Sequence, residues 1–419
     1  MIIEKLIPGG MGLSTDADGR KVFFWNALPG ETIVKYNITK HKSHYSEAIA
    51  TEIQNPSPHR VQPLDYCYLS TSPWQIMDYN YELTQKQSLV VEIFHEHNII
   101  IDTPKIITDG RDYCYRNKME YALYWDHLTN QIELAFHQRG SHRKIPIAQS
   151  SIERPEIFQR ATKIIDDLNA RGEEARKYQS LLLRCNQKGE VGGGLYENHK
   201  PHPKFLPLTD TILGHEYSYS PNGFFQINLP VYELALTEIK PHITTDQVLD
   251  LYAGVGTIGL SVARDKHLTL VEVDKSAFKE MAKNITIEDI SEPGKARISA
   301  GRPWQTAPWD ADDPEGRRAG RTRVRNGDIF VILSKSEEVL EYIAPDQTVI
   351  LDPPRAGCDR KLIEKLLEAH PAKIIYLSCN PATQARDLKL LLDKYTIEQI
   401  TTFNFFPHTP HIENLVILS

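Results

Sequence analysis

The chain has 419 residues, of which 41% are hydrophobic and 25% charged, and its net charge at neutral pH is −7. This length predicts two or three domains, and the composition is ordinary for a soluble globular protein. The acidic balance does not suggest nucleic-acid binding, but it does not exclude it, because affinity depends on a local basic face.

The cysteines and the hydropathy pattern predict a cytoplasmic protein with no membrane contact. No apolar run approaches the roughly 18 residues that span a bilayer, and the first ten residues lack the core of a signal peptide. The cysteines form no C-x-x-C pair, which disfavours disulfides and a Cys-rich metal site. They are Cys67, Cys114, Cys185, Cys358 and Cys379. The sixteen histidines show no H-E-x-x-H spacing, so we expect no metal.

Residues 1–57 are predicted to form a small β-barrel. Short β-branched and aromatic runs at 21–25 and 32–38 lie between turns rich in glycine and proline. Barrels of this size often bind oligonucleotides on one face, and a solvated hairpin is the alternative. The basic and aromatic residues that would form such a face are Lys35, Lys40, His41, Lys42, His44 and Tyr45.

Residues 58–213 are predicted to be a linker and a β-rich central domain that recognises substrate. Pro56, Pro58 and Pro63 mark the linker. An amphipathic helix is predicted at 81–98 and a second helix at 155–170, with strands and turns elsewhere.

An α/β domain is predicted at 214–419. A helix at 229–239 and a strand at 248–251 lead into Gly254, Gly256 and Gly259, which have the G-x-G-x-x-G spacing. Glu272 ends the next predicted strand, about 20 residues on, where an acidic residue can hold ribose hydroxyls. This pattern fits a nicotinamide dinucleotide or S-adenosylmethionine, and a glycine-rich turn without a ligand is the alternative.

Residues 291–327 lack periodicity and are rich in glycine, proline, arginine and aspartate. We expect a flexible, locally basic surface insertion. A phosphate-binding arm is a further hypothesis for it.

The stretch 349–383 is predicted to be strand, helix and strand, with reactive residues after each strand. Asp352 follows the first strand and Cys379 the second, and ligands of parallel sheets bind beyond the carboxyl ends of strands. A strand end that opens toward a helix is expected to favour the Cys379 thiolate, although most cysteines are simply buried. Neither residue has an obvious role in hydride transfer, which favours S-adenosylmethionine. Glu413, just before a final predicted strand, is a candidate base at the same rim.

These motifs resemble those of the RNA uracil-C5 methyltransferases. The segments that match in order are SPNGFFQIN, DLYAGVGTIGL, VEVD, LDPPRAG, SCNPAT and FPHTPHIE. The resemblance implies a Rossmann-like class I methyltransferase domain, with an RNA-binding TRAM barrel at 1–57 and a central domain that recognises rRNA or tRNA. It makes Cys379 the nucleophile and Glu413 the base that removes the C5 proton. Gln226, Tyr252, Glu272 and Asp352 would line the S-adenosylmethionine pocket.

The sequence departs from the family in one functional respect. Many members hold an iron–sulfur cluster with four cysteines, but 63–87 contains only Cys67, so we expect no cluster. We expect a monomer. An amino-group methyltransferase is one alternative, because Asp352-Pro353-Pro354 resembles its signature, although Arg355 stands where that signature has an aromatic residue. A non-catalytic RNA-binding factor is the other.

Overall fold

The computed structural model describes residues 1–197, 199–202, 205–287 and 323–419. The chain forms two compact units: unit 1 is Met1–Leu206 with Asn404–Ile412, and unit 2 is Pro207–Phe403 with Glu413–Ser419. Residues 291–322 of the predicted insertion 291–327 lie outside the described residues. The remaining residues include a short strand, Arg323–Asn326. Division of the chain into three domains at 57/58 and 213/214 stays a prediction.

A five-stranded sheet forms the first part of unit 1. Its strands are β1 (Lys5–Leu6), β2 (Gly12–Thr15), β3 (Lys21–Trp25), β4 (Thr32–His41) and β5 (Tyr45–Gln54), in the order β1-β2-β3-β5-β4. Alternate residues of β3 face the core, so Val22 and Phe24 are buried while Lys21 is exposed. The strand predicted at 21–25 is confirmed, and the one predicted at 32–38 extends to His41.

The rest of unit 1 is built around a six-stranded sheet of order β12-β11-β10-β7-β8-β9. The elements are α1 (Tyr68–Thr71), α2 (Tyr79–Glu96), β6 (Lys105–Ile107), β7 (Lys118–Asp126), β8 (Gln131–His137), β9 (Lys144–Pro146), α3 (Pro155–Ala170), β10 (Ser180–Cys185), β11 (Val191–Glu197) and β12 (Lys200–His202). Helix α3 starts on a proline and buries Ile157, Ala161, Ile165 and Leu168, which are spaced along one helical face. This stripe packs in the core beneath the sheet.

A buried ion pair on α2 holds the segment Asn404–Ile412 within unit 1. Lys86 and Glu82 are one helical turn apart, both have no exposed surface, and Nζ lies 2.8 Å from Oε1. Lys86 also donates to Asn404 Oδ1 at 2.6 Å and to the carbonyl of Phe406 at 3.0 Å. Glu82 accepts from the main-chain N–H of His408 at 2.9 Å. These bonds fix a segment that lies more than 300 residues away in sequence.

Unit 2 is an α/β fold whose central strands are parallel. Its elements are β13 (Leu208–Ile212), β14 (His215–Tyr219), α4 (Leu229–Ile239), β15 (Gln247–Leu251), α5 (Thr257–Val262), β16 (His267–Glu272), α6 (Lys275–Ile287), β17 (Arg323–Asn326), β18 (Ile329–Leu333), β19 (Gln347–Leu351), α7 (Arg360–Ala369), β20 (Lys373–Ser378), α8 (Pro381–Leu391), β21 (Ile397–Phe403) and β22 (Glu413–Leu418). Its main sheet runs β17-β18-β16-β15-β19-β20-β22-β21.

The strand order of this sheet reverses at β15. Strand β15 pairs in parallel with β16 on one side and with β19 on the other. A crevice for ligands opens at such a point, beyond the carboxyl ends of the strands. Strand β22 instead runs antiparallel to β20, so its amino end lies at the rim where β20 ends. None of the helices in the described part of the chain combines the length and the hydropathy that a membrane-spanning helix requires.

Candidate active site

The glycine loop lies between β15 and α5, at the point where the strand order reverses. Gly254 and Gly256 have φ of 60° and 88°, which is the left-handed region that favours glycine. A Cβ added at Gly254 would meet no heavy atom within 4 Å, so the loop faces open space there. At Gly259 a Cβ would lie 2.8 Å from Asp250 Oδ2 and 2.7 Å from Leu270. The third glycine therefore lets α5 pack directly on the sheet.

Glu272 joins the glycine loop to the end of β16. Its Oε2 accepts from Gly254 N at 2.8 Å, and its Oε1 accepts from Asp274 N at 2.6 Å. The side chain is 9% exposed, and burial raises the pKa of its carboxyl group. The carboxylate is thus held beside the loop, as the sequence predicts.

Asp352, Cys379 and Glu413 lie at one rim of the unit 2 sheet. Asp352 directly follows β19, and Cys379 directly follows β20, which is the next strand in the sheet. Glu413 is the first residue of β22, where Asn414 pairs with Ser378. Continuation of that register by one residue sets Glu413 opposite Cys379. The predicted meeting of a carboxylate, a thiol and a second carboxylate therefore agrees with the strand register.

The charges at this rim act on one another. Burial, together with the charges of Glu413 and Asp352, raises the pKa of the Cys379 thiol to about 11, while the charge of Arg355 opposes this rise. Burial also raises the pKa of Glu413 well above its ordinary value, with Asp352 adding to the effect and Arg355 opposing it. Burial raises the pKa of Asp352 to about 7.

The expectation of a readily formed thiolate at Cys379 is therefore wrong for the free protein. Helix α8 begins two residues after Cys379, and its N-cap Asn380 already accepts a hydrogen bond from Ala382 N. Burial and two neighbouring carboxyl groups outweigh the helix N-terminus. Arg355 is a cation whose charge favours the thiolate.

Comparisons with known proteins give the site its context. Residues 336–419 match the family model described as tRNA (uracil-5-)-methyltransferase, and residues 231–302 match one described as conserved hypothetical protein 95. An uncharacterised RNA methyltransferase of Lactobacillus johnsonii is 27% identical, over 96% of this chain and 94% of its own length. An uncharacterised RNA methyltransferase of a Nostoc species is 26% identical, over 98% of this chain and 94% of its own length.

By sequence, the chain resembles RNA methyltransferases along its length, and residues 336–419 resemble the tRNA (uracil-5-)-methyltransferase family. Its fold is shared with a solved structure. The crystal structure of the Pyrococcus abyssi tRNA (uracil-54, C5)-methyltransferase in complex with S-adenosyl-L-homocysteine has a TM-score of 0.71 to it, over 100% of both chains, at 20% identity.

The other two residues predicted to line the cofactor pocket lie in different settings. Tyr252 follows β15 with φ of 65°, and its hydroxyl lies against Ser336 and Cys358. Burial raises the pKa of that hydroxyl. Gln226 is half-buried in the segment before α4. Contact of either residue with a cofactor stays a prediction.

Sequence reasoning did not find two further residues of the site. Asp250 is fully buried, accepts from Gly259 N at 2.8 Å through Oδ2, and has no hydrogen-bond partner at Oδ1 among the described residues. Tyr232 of α4 is buried, and its hydroxyl forms a hydrogen bond of 2.8 Å with Thr257 Oγ1. The charge of Asp352 adds to the effect of burial, which raises the pKa of this hydroxyl. Asp250 stands in the DLYAGVG motif, which was a usable signal, whereas Tyr232 lies outside the motifs that carry the resemblance.

Proposed function

We propose that this RNA methyltransferase transfers a methyl group from S-adenosylmethionine to C5 of a uridine in rRNA or tRNA, giving 5-methyluridine. The observation that carries the proposal is the register that sets Cys379 and Glu413 opposite each other beside Asp352. We further propose that the protein works as a cytoplasmic monomer without an iron–sulfur cluster.

The residues around the glycine loop fit a nucleoside-bearing methyl donor. The open space beside Gly254 is where a side chain would block the approach of a cofactor. Glu272 is held at this loop with a carboxylate suited to ribose hydroxyls. Asp250 Oδ1 lies at the same loop, where it is buried and has no hydrogen-bond partner among the described residues. When bound, S-adenosylmethionine supplies an electrophilic methyl group. Glu272, Tyr252, Gln226 and Asp352 would hold it.

Cys379 supplies the nucleophile that activates the uracil ring. C5 of uracil is too weakly nucleophilic to take a methyl group unaided. The Cys379 thiolate attacks C6 and forms an S–C6 bond, which moves an electron pair toward C5. C5 then takes the methyl group with this electron pair, and the S–CH3 bond of the donor breaks with departure of S-adenosylhomocysteine, whose sulfur keeps the bonding pair. This route replaces one difficult step by easier ones, and correct placement of the two reactants lowers the barrier further.

Glu413 completes the reaction as the base. Its carboxylate takes the proton from C5, the C5–H electron pair restores the C5=C6 bond, and the thiolate leaves C6. The raised pKa of Glu413 suits this task, because a carboxylate with a higher pKa is a stronger base. Asp352 lies close enough to influence both groups and is proposed to touch the uracil. The uridine must be turned out of the RNA stack to reach them.

Residues 1–57 are proposed to be a TRAM barrel that binds the RNA backbone, and 58–213 a domain that recognises the RNA. Strand β4 carries Lys35 and Lys40 on exposed positions, and Lys40 Nζ lies 5.7 Å from the centre of the Tyr45 ring. Their ion pairs with Glu52 and Glu47 are exposed. Such pairs contribute little, so phosphates can replace the carboxylates.

Nucleoside mass spectrometry tests the proposal. RNA from a strain that lacks this protein is incubated with the purified enzyme and isotopically labelled S-adenosylmethionine, then digested. Labelled 5-methyluridine is the expected product. A labelled N-methylated base would instead identify an amino-group methyltransferase, and the absence of any label would identify a non-catalytic RNA-binding factor.

A further inference from the structure

The loop that carries Arg355 is bound to helix α8 through its main chain. We call residues 352–358 the DPPR loop. Its Arg355 carbonyl accepts from Asn380 Nδ2 at 2.9 Å and from Thr383 Oγ1 at 3.2 Å. Its Ala356 carbonyl accepts from Arg386 Nη2 at 3.1 Å. The first two turns of α8, which begins just after Cys379, therefore hold the loop at several points.

One buried carboxylate stands at the centre of this attachment. Asp387 of α8 is 2% exposed. Its Oδ2 accepts from Cys358 N at 2.9 Å and from the Tyr376 hydroxyl at 2.8 Å. Its Oδ1 accepts from Arg386 Nε at 2.9 Å and Nη2 at 2.6 Å. A single side chain thus joins the end of the DPPR loop, strand β20 and helix α8.

The DPPR loop packs closely against α8 at Gly357. Gly357 has φ of 79°, and a Cβ there would lie 2.6 Å from Arg386 Nη2 and 2.8 Å from Asp387 Oδ2. The loop backbone therefore rests directly on the carboxylate. A longer acidic side chain would displace the loop, and an amide would turn an N–H group toward one of the two sets of donors.

We propose that Asp387 is a positioning residue for methyl transfer, which fixes the DPPR loop so that the Arg355 guanidinium faces Cys379 and Glu413. Arg355 is exposed, so burial of its side chain does not fix its direction. Its position depends on the main chain, whose path the Asp387 contacts determine. The charge of Arg355 acts on both reacting groups. The inference rests on the proposed roles of Cys379 and Glu413, but its first test needs neither RNA nor cofactor.

The test measures the pH dependence of Cys379 alkylation by iodoacetamide in the free, full-length protein, followed by peptide mass spectrometry. A Cys114→Ser background removes the exposed cysteine, and the other three cysteines are buried. In Asp387→Asn the midpoint of alkylation is expected to rise by about half a pH unit or more, because a nearby cation is displaced. The matched control is Glu364→Gln, which also removes a carboxylate from an arginine, Arg360, at an exposed site.

Activity provides the second readout. If RNA methylation is established for the wild type, Asp387→Asn is expected to lower kcat at least tenfold with KM for RNA within twofold, while Glu364→Gln keeps both. An unchanged alkylation midpoint in folded Asp387→Asn would overturn the proposal. If that variant does not fold, Thr383→Val removes one bond to the Arg355 carbonyl and is expected to shift the midpoint in the same direction; a wild-type midpoint overturns the proposal. An inactive wild type would contradict the proposed function, while the alkylation result would still decide the role of Asp387.

Discussion

Replacement of Lys86 by methionine tests the buried ion pair that holds Asn404–Ile412. Methionine keeps an unbranched apolar stem and removes the ammonium group. The change leaves the Glu82 carboxylate without its cation and leaves two acceptors, Asn404 Oδ1 and the Phe406 carbonyl, without their donor. An uncompensated buried charge costs about 3–5 kcal/mol. We therefore expect the free energy of unfolding of unit 1 to fall by about this amount.

The double variant Lys86→Met/Glu82→Gln separates charge from packing. It removes both charges, so the loss should shrink to about 1–3 kcal/mol, which is the cost of the unpaired acceptors. Lys177→Met is the matched control, since Lys177 and Glu173 have the same spacing on an exposed surface and should contribute nothing measurable.

Urea titration followed by tryptophan fluorescence measures these effects. Trp74 is buried in unit 1, and Lys86 Nζ lies 5.8 Å from the centre of its ring. A Lys86→Met protein as stable as Lys177→Met would refute the reasoning. A double variant less stable than Lys86→Met would refute it as well.

The reacting groups and the buried Asp250 can be tested separately. Cys379→Ala should abolish methyl transfer, while calorimetry should show nearly unchanged cofactor binding. The control Cys114→Ala, at an exposed site, should keep full activity. Transfer at the wild-type rate by Cys379→Ala would contradict covalent catalysis. Because the pKa of free Cys379 is raised to about 11, kcat/KM should rise about tenfold per pH unit between about pH 6 and 8.5, and a plateau there would count against the thiolate. Burial raises the pKa of Asp250 from 3.8 to about 8. The protonated form of Asp250 therefore favours the folded state at low pH, and this stabilisation is lost as the pH rises between these two values. Urea titrations should therefore show Asp250→Asn gaining stability over the wild type by up to about 1.4 kcal/mol per pH unit across that window, and a constant difference would contradict this.

The sequence was sufficient to predict individual elements of both units and the rim that bears the site. Helices α3 and α4 have the predicted bounds, since each has a regular apolar pattern and a proline in its first turn. The rim of Asp352 and Cys379 was predictable because parallel strands end on the same side of a sheet.

What the sequence did not predict depends on contacts between residues far apart in the chain. The raised pKa of Cys379 reflects burial and the approach of Glu413, which the antiparallel direction of β22 determines. Anchoring of Asn404–Ile412 by Lys86 joins residues more than 300 positions apart. The four donors that meet at Asp387 come from a loop, a strand and a helix, and no local periodicity records such convergence.

The most direct measurement of the central claim is a search for the covalent intermediate. Glu413→Gln cannot take the C5 proton, so the methylated ring should stay bonded to Cys379. After incubation with RNA and S-adenosylmethionine, denaturing electrophoresis should show a protein–RNA adduct, and mass spectrometry should locate it on Cys379. The double variant Cys379→Ala/Glu413→Gln should form none. Failure of folded Glu413→Gln to form any adduct with an RNA that the wild type methylates would contradict the mechanism.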